Sequence, residues 1–370
     1  MKTESLDMST LSVEKVVSQL SKMYTNIIKE GISPKLLPSV MLWGPPGVGK
    51  SQAVREIAKE IEDETGKKVN ITDVRLLLFN PIDLRGIPTA NEDKTLAIWL
   101  KPQIFQMDDS KDVVNILFLD EISAAPQSVQ AAAYQITLDR VVGEHKLPDN
   151  CIVIAAGNRV TDKSVAYKMP KALANRLCHF EVVVSFESWK KWAIEHGINE
   201  KVIGFLSFRP DYLNAFDTSK DDLAFATPRS WEMVSNILNY VDSNIDNVMP
   251  AIAGCIGNGV ALEFQYYASV YHKLPNIEDI FLGKSVSMPT SPDVLYALVS
   301  SMTAYAREHK DDYSMIGNSI YFAQAMPADF TMLLCRSYMA IEKNYIEKLK
   351  KVPEFRDFLK KKGSILNGAI

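Results

Sequence analysis

The chain has 370 residues, of which 47% are hydrophobic and 23% charged, and its formal net charge is −4. These values are typical of a globular protein, exclude a disordered chain and give no support for a general affinity for nucleic acid or membranes. The length predicts more than one domain. Because no apolar run could span a bilayer and the N-terminus lacks the apolar core of a secretion signal, we expect a cytoplasmic protein.

The first half of the chain alternates helical patterns with short apolar segments, as a parallel sheet with crossover helices requires. Helices are predicted over 12–30, 51–64, 126–138 and 170–177, and strands over 39–43, 69–74, 115–119, 151–156 and 179–184. Most of these strands are apolar on both faces, which is typical of strands buried between two helical layers. An α/β domain is therefore predicted over residues 1–185.

The second half has no strand signal after Ser185, and apolar residues recur there at helical spacing between breaks rich in Pro, Gly and Asp. This pattern predicts an all-helical domain over residues 186–290 and a helical C-terminal extension over residues 291–370. The basic segment 348–362 is interpreted as a solvated helix face.

A glycine-rich stretch of the form G-x-x-x-x-G-K-S lies between the first of these strands and the helix that follows it. Glycine suits a loop whose backbone NH groups wrap phosphates, because a Cβ would collide there or φ must be positive. The following lysine can reach the β and γ phosphates, the serine can bind Mg²⁺, and the helix directs its positive N-terminus at the anion. An ordinary glycine turn is the alternative. The residues assigned to the phosphate site are Gly44, Pro45, Pro46, Gly47, Val48, Gly49, Lys50, Ser51 and Gln52.

Two carboxylates, Asp120 and Glu121, end an apolar strand about 70 residues after the glycine loop. The carboxyl ends of parallel strands line one crevice, so we expect this pair beside the loop. Asp120 would hold Mg²⁺ through water, and Glu121, turned away by the period of the strand, would act as general base. A polar strand end without function is the alternative.

The next predicted strand ends in Gly157 and Asn158. An uncharged amide at this position can bind the attacking water or the γ phosphate without competing for the metal, although Gly-Asn is also an ordinary turn. The four cysteines and five histidines are scattered and form no zinc, disulfide or catalytic pattern.

Further motifs extend this set, and together they resemble a MoxR-like AAA+ ATPase of the clade with an insertion in its second helix. Besides the glycine loop and the two carboxylates, the resemblance rests on residues 83–88, 155–159, 169–177 and 226–231. It implies a P-loop NTPase core with a parallel sheet, followed by an all-helical lid. It also implies ATP and Mg²⁺ as ligands, and a ring assembly, in this family commonly a hexamer.

The resemblance implies roles for two arginines. Arg176 matches the finger that such ATPases supply to the γ phosphate of a neighbouring subunit, and Arg229 matches a second sensor at the start of a lid helix. The sequence adds a physical argument for Arg229. Thr227 as N-cap and Pro228 after it place this cation in the first helical turn, where the helix dipole disfavours it unless an anion is bound. Whether Arg229 acts within its own subunit or on a neighbour is left open.

Two segments, 84–99 and 141–147, resemble the hairpins that face the central pore in related rings. Arg85, Lys94 and Trp99 are therefore candidates for contact with a client, and surface loops without function are the alternative. The favoured function is an ATP-hydrolysing ring that remodels or activates a protein partner. By resemblance, this partner could be one with a von Willebrand A domain. A DNA-acting motor or loader and a nucleotide-gated scaffold are the competing hypotheses, and the balanced charges of the first hairpin segment do not favour nucleic acid.

Overall fold

The computed structural model describes residues 10–159, 169, 171–215 and 222–366. The described residues separate into two compact units, with the boundary between Val184 and Ser185. This boundary lies next to the predicted end of the α/β domain. The predicted further division at residue 290 stays a prediction.

The first unit is built on a six-stranded sheet in which every strand pair is parallel. The sheet contains β1 (Thr10–Ser12), β2 (Val40–Trp43), β3 (Lys68–Arg75), β6 (Val113–Asp120), β9 (Cys151–Gly157) and β10 (Cys178–Val183). Their spatial order is β1-β10-β2-β9-β6-β3. The five predicted strands are confirmed within two residues at each end. The unpredicted β1 pairs with β10 at one edge of the sheet.

Helices cover both faces of this sheet, as its apolar strands require. One face packs against α1 (Val13–Lys29) and α2 (Lys50–Thr65), whose buried side chains Val54, Ile57, Ala58 and Ile61 form the predicted stripe. The other face packs against α3 (Pro81–Arg85) and α4 (Gln127–Asp139). The predicted helix 170–177 is shorter than expected, since α5 (Lys171–Ala174) is a single turn. Pro170, its predicted first residue, lies outside the described residues.

Both predicted hairpins are present. In the first, β4 (Ile87–Ala90) pairs with β5 (Ala97–Leu100), and in the second β7 (Val141–Val142) pairs with β8 (His145–Lys146). The hairpins contact each other: Nε2 of His145 lies 2.7 Å from the carbonyl oxygen of Trp99. Gly143, at the tip of the second hairpin, packs so closely on the backbone of Arg85 that a Cβ would meet its carbonyl oxygen at 2.3 Å.

The second unit contains helices and no strands among its described residues, as the sequence predicts. Its longer helices are α6 (Phe186–Glu195), α7 (Glu200–Phe208), α8 (Pro228–Tyr240), α9 (Ile245–Ile256), α10 (Asn258–Ala268), α12 (Pro292–Glu308), α13 (Tyr313–Ala323), α14 (Ala328–Met339) and α16 (Pro353–Leu366). Two short helices, α11 (Ile277–Phe281) and α15 (Tyr345–Leu349), connect them. No helix in the described ranges is long and apolar enough to cross a membrane.

The basic segment 348–362 differs from the expected single solvated face. It is divided between the end of α15 and α16, because the chain turns before Pro353. Lys348 is also not simply solvated, since its ammonium lies 2.7 Å from Glu342 and 2.9 Å from Asp311. Lys348 therefore links α15 to the segments that contain Glu342 and Asp311.

Candidate nucleotide site

The glycine loop has the backbone that the sequence demands of it. Gly47 and Gly49 have φ values of +78° and +104°, which side chains with a Cβ rarely adopt. Gly44 is restricted by space instead, because a Cβ there would lie 2.6 Å from the carbonyl oxygen of Val182 on β10. Gly49 is the N-cap of α2, so the loop leads directly into a helix N-terminus with unpaired NH groups.

Lys50 is turned back over the loop. Its side chain is only 9% exposed, and its ammonium donates to the carbonyl oxygens of Gly44 and Pro45 at 2.6 and 3.0 Å. It also donates to Oδ1 of Asn158 at 2.9 Å. Oxygen atoms of the protein therefore hold the cation at the loop, where an anion can be bound with little rearrangement.

The order of the sheet explains why these residues meet. β9, which ends at Gly157, lies between β2, which leads into the glycine loop, and β6, which ends at Asp120. Ser51 donates its hydroxyl to Oδ2 of Asp120 at 3.1 Å. Lys50, Ser51, Asp120 and Asn158, which are dispersed in the sequence, are thus linked at one edge of the sheet.

Glu121 is positioned differently from the expectation. It follows β6 instead of continuing it, and its φ of +58° places it in the left-handed region. Its NH donates to Oδ1 of Asp120 at 2.8 Å, and its carbonyl oxygen accepts from the NH groups of Ala124 and Ala125. The direction of Glu121 is therefore set by a tight turn and not by the period of the strand. A non-glycine residue in this conformation is strained, and such strain is concentrated at functional sites.

Ser123 is a site residue that sequence reasoning missed. Its hydroxyl accepts from the NH of Asn158 at 2.9 Å and so fixes the residue that contacts Lys50. Gly157 is required beside it, because a Cβ would lie 2.7 Å from the Ser123 hydroxyl. The only indication of this role in the sequence is that Ser123 lies two residues after Glu121.

Charged groups surround the site on the adjacent strands. Asp73 lies on β3, and burial together with the carboxylate of Asp120 raises its pKa. Arg159, directly after Asn158, forms an ion pair with Glu181 on β10. These two carboxylates are outside the linked set, and no sequence pattern connects them with it.

Of the remaining predicted site residues, Gln52 and Arg176 are in the first unit and Arg229 is in the second. Gln52 donates to Oε1 of Glu56 at 2.7 Å, so its side chain points along α2. Arg176 is exposed on the turn between α5 and β10. Arg229 is exposed in the first turn of α8, where Thr227 is the N-cap and accepts from the NH of Ser230, as the sequence predicts.

The residues present fit Mg²⁺. A hydroxyl and a carboxylate are oxygen ligands, and Mg²⁺ typically takes one or two protein oxygens together with waters and substrate phosphates. Ser51 and Asp120 provide such a pair. In the described part of the chain, no group of three or more His, Cys, Asp or Glu side chains could hold a metal ion by itself.

Comparison with known proteins agrees with this geometry. Residues 40–186 match the family described as "ATPase family associated with various cellular activities (AAA)". This part of the chain is therefore similar to an AAA ATPase domain. A "Putative replication factor C small subunit" of Acanthamoeba polyphaga mimivirus is 29% identical over 108 residues, which are 29% of this chain and 30% of that protein. The match thus spans less than a third of that relative, and it leaves the MoxR-like subgroup open.

The chain is also similar to solved structures of other proteins. A RuvB mutant of Thermotoga maritima is 16% identical, with 83% of this chain and 88% of that chain covered and a TM-score of 0.35. PCH-2 of C. elegans is 14% identical, with 70% and 68% covered and a TM-score of 0.36. The parallel sheet, the glycine loop and the helical second unit define the fold as an AAA+ P-loop NTPase. AAA domains bind nucleotide and, in general, hydrolyse ATP.

Proposed function

We propose that the protein is a Mg²⁺-dependent ATPase of the MoxR-like type, which hydrolyses ATP to ADP and phosphate. In this proposal it acts as a ring, most simply a hexamer, that remodels or activates a protein partner. The observation that carries the catalytic part is the linked set at the sheet edge, in which Lys50 contacts Asn158 and Ser51 contacts Asp120. The groups that bind phosphate, hold the metal and activate water are within or next to this set, whereas the arginine finger comes from a neighbouring subunit.

Each group has a distinct role in the proposed reaction. The NH groups of the glycine loop and the ammonium of Lys50 bind the phosphates, and Ser51 and Asp120 hold the metal. Mg²⁺, when bound, supplies positive charge that offsets the charge on the phosphate oxygens. Glu121 accepts a proton from the attacking water, and Asn158, fixed by Ser123, orients that water or the γ phosphate.

The ring assembly is supported by Arg176. An arginine finger must reach the phosphates of another subunit, and Arg176 lies on an exposed turn where a second copy of the chain has access to it. Arg229 is proposed as the second sensor, in its own subunit or a neighbour. It is exposed in a helical first turn, and an anion there would offset the unfavourable dipole.

A protein client is supported by the surface near the first hairpin. Eight of its exposed side chains are large and apolar, and such patches are typical of surfaces that bind proteins. They are Leu77, Leu78, Ile82, Ile87, Leu96, Ile98, Leu100 and Ile104. Nucleic-acid binding would require an excess of Lys and Arg, but Arg85, Lys94 and Lys101 are balanced there by Asp83, Glu92 and Asp93. The client class, a protein with a von Willebrand A domain, rests on the MoxR-like resemblance alone.

A DNA-acting motor is the second candidate, and the name of the mimivirus relative, a replication factor subunit, favours it. This candidate is favoured over a protein client if DNA stimulates ATP hydrolysis and if the stimulation falls steeply between 50 and 200 mM salt. A scaffold that binds nucleotide without turnover is the third candidate. Phosphate release in the steady state would exclude such a scaffold.

The Glu121→Gln variant tests the catalytic proposal. Because glutamine keeps the size of the side chain but cannot accept a proton, ATP binding should be unchanged while hydrolysis falls by about 10²–10⁴-fold. Glu62→Gln, at an exposed position of α2, is the matched control and should hydrolyse ATP normally. Normal turnover by Glu121→Gln would remove Glu121 as the base.

A further inference from the structure

The helical second unit contains a cavity of about 840 Å³ that the proposed ATPase mechanism does not use. Residues of α6, α7, α12 and α14 line it, including Lys190, Glu200, Ser301 and Ser337. Its volume lies within the range of pockets that bind small molecules, about 300–1,000 Å³. Inorganic ions alone are too small to fill such a space.

Lys190 is the unusual residue of this cavity. It lies on the inner face of α6, and it is 7% exposed. A buried ammonium is normally paired, because removing a charge from water is costly. Among the described residues its ammonium makes no hydrogen bond or ion pair, and it is accessible from the cavity instead of being fully enclosed. The nearest charges that act on it are Glu187, three positions earlier on the same helix, and Arg336 on α14.

A second polar group in the cavity wall also lacks a partner. The hydroxyl oxygen of Ser301 is buried and makes no hydrogen bond of normal geometry within the described ranges, although it lies beside the carboxyl of Glu200. The neighbouring hydroxyls of Ser300 and Tyr271 differ, since both donate to the carbonyl oxygen of Glu200, at 2.6 and 3.1 Å. The cavity thus combines a cation without a protein partner and a buried hydroxyl beside the Glu200 carboxyl.

We propose that this cavity binds a small organic anion, a carboxylate or a phosphate ester of up to about the size of a mononucleotide, whose charged group pairs with Lys190. The hydroxyl of Ser301 donates to the same ligand. Tyr271 and Tyr296, which also line the cavity, contact its organic part. This site is separate from the nucleotide site of the AAA domain and does not depend on the function proposed for it.

The charges around the cavity make the binding dependent on pH. Burial lowers the pKa of Lys190 to about 8, while Glu187 opposes this shift and Arg336 adds to it. Burial also raises the pKa of Glu200, and the other charged residues of the lining are Arg307 and Glu308. The anion requires the protonated amine, so its affinity should fall as pH rises above 8.

The test uses the full-length chain with the Lys50→Ala substitution, so that the glycine loop does not contribute to binding. Thermal unfolding is measured at pH 7.0 with AMP, citrate or inorganic phosphate at 5 mM. We expect AMP or citrate to raise Tm by about 2 °C or more, and inorganic phosphate to have little effect. AMP and citrate distinguish phosphate esters from carboxylates. Lys190→Met should abolish the shift, and Lys191→Met, on the exposed side of α6, should retain it.

Calorimetric titration of the wild-type chain with citrate provides a second measurement that does not require the Lys50→Ala variant. The affinity of the chain for citrate should fall about tenfold or more between pH 7.0 and pH 9.5, and this fall should be absent in Lys190→Met. The proposal is overturned if neither organic anion shifts Tm, or if the shift survives the loss of the Lys190 ammonium. A failure of the proposed ATPase would affect neither measurement.

Discussion

The ammonium of Lys50 lies 2.9 Å from the amide oxygen of Asn158, which joins the loop after β2 to the end of β9. A bound γ phosphate would compete with this amide for the lysine. Asn158 therefore holds Lys50 in place when no phosphate is bound, and it is free to contact water or phosphate once Lys50 turns to its ligand.

Replacing Asn158 with alanine should separate binding from chemistry. Lys50 keeps its two carbonyl acceptors, so ATP should still bind, whereas hydrolysis should fall by about 10²-fold because one transition-state contact is lost. Nucleotide binding is measured by titration, and turnover by phosphate release. The exposed Asn26 of α1 offers a control, Asn26→Ala, with wild-type turnover. Equal losses of binding and turnover in Asn158→Ala would indicate a structural role only.

Gly44→Ala should disrupt the loop by a steric clash and not by an unfavourable φ value. The added methyl group meets the carbonyl oxygen of Val182 at 2.6 Å, which should destabilise the unit by about 1–3 kcal/mol and weaken ATP binding. Urea unfolding measures the first effect. Gly254→Ala is the contrasting change, since nothing lies within 4 Å of its added methyl group and Gly254 is in a helix. It should be neutral or stabilising by up to about 1 kcal/mol.

Lys190→Met should stabilise the ligand-free protein, and the gain should depend on pH. The native pKa of Lys190, about 8, is below its unfolded value of 10.5, so the unfolded chain binds more protons between these values and stability rises with pH there. The stability of Lys190→Met should lack this increase with pH. The difference in unfolding free energy should be on the order of 2–3 kcal/mol at pH 7 and should shrink towards pH 10. A difference that is constant from pH 7 to 10 would contradict this account.

The strands of the sheet and the conformation of the glycine loop could largely be predicted because their determinants are local. A strand buried on both faces is a run of apolar residues, and the glycine loop carries its conformation in its own residues. Parallel strands end at a common edge, so the meeting of Asp120 with Ser51 follows from the order of motifs.

The remaining features depend on contacts that no single segment encodes. β1 has three residues and is a strand only because β10 pairs with it. Glu121 follows an apolar strand, so the alternating period of the strand does not apply to it, and the hydrogen bonds of the turn decide its conformation. The bond from Asn158 to Ser123 and the unpaired Lys190 likewise arise from packing between distant elements.

A mixing experiment measures most directly whether neighbouring subunits complete each site. Arg176→Ala retains the glycine loop, and Lys50→Ala retains the exposed arginine. Each variant alone should hydrolyse ATP at least about 10³-fold more slowly than the wild type. In an equal mixture whose subunits exchange, about a quarter of the interfaces should join an intact loop to an intact arginine, whatever the size of the ring.

The account predicts that this mixture recovers up to about a quarter of the wild-type rate of phosphate release. A mixture of Arg176→Ala with the Lys50→Ala, Arg176→Ala double variant should recover nothing. If the first mixture also remains inactive although its subunits exchange, or if Arg176→Ala alone is fully active, then Arg176 does not complete a neighbour's site.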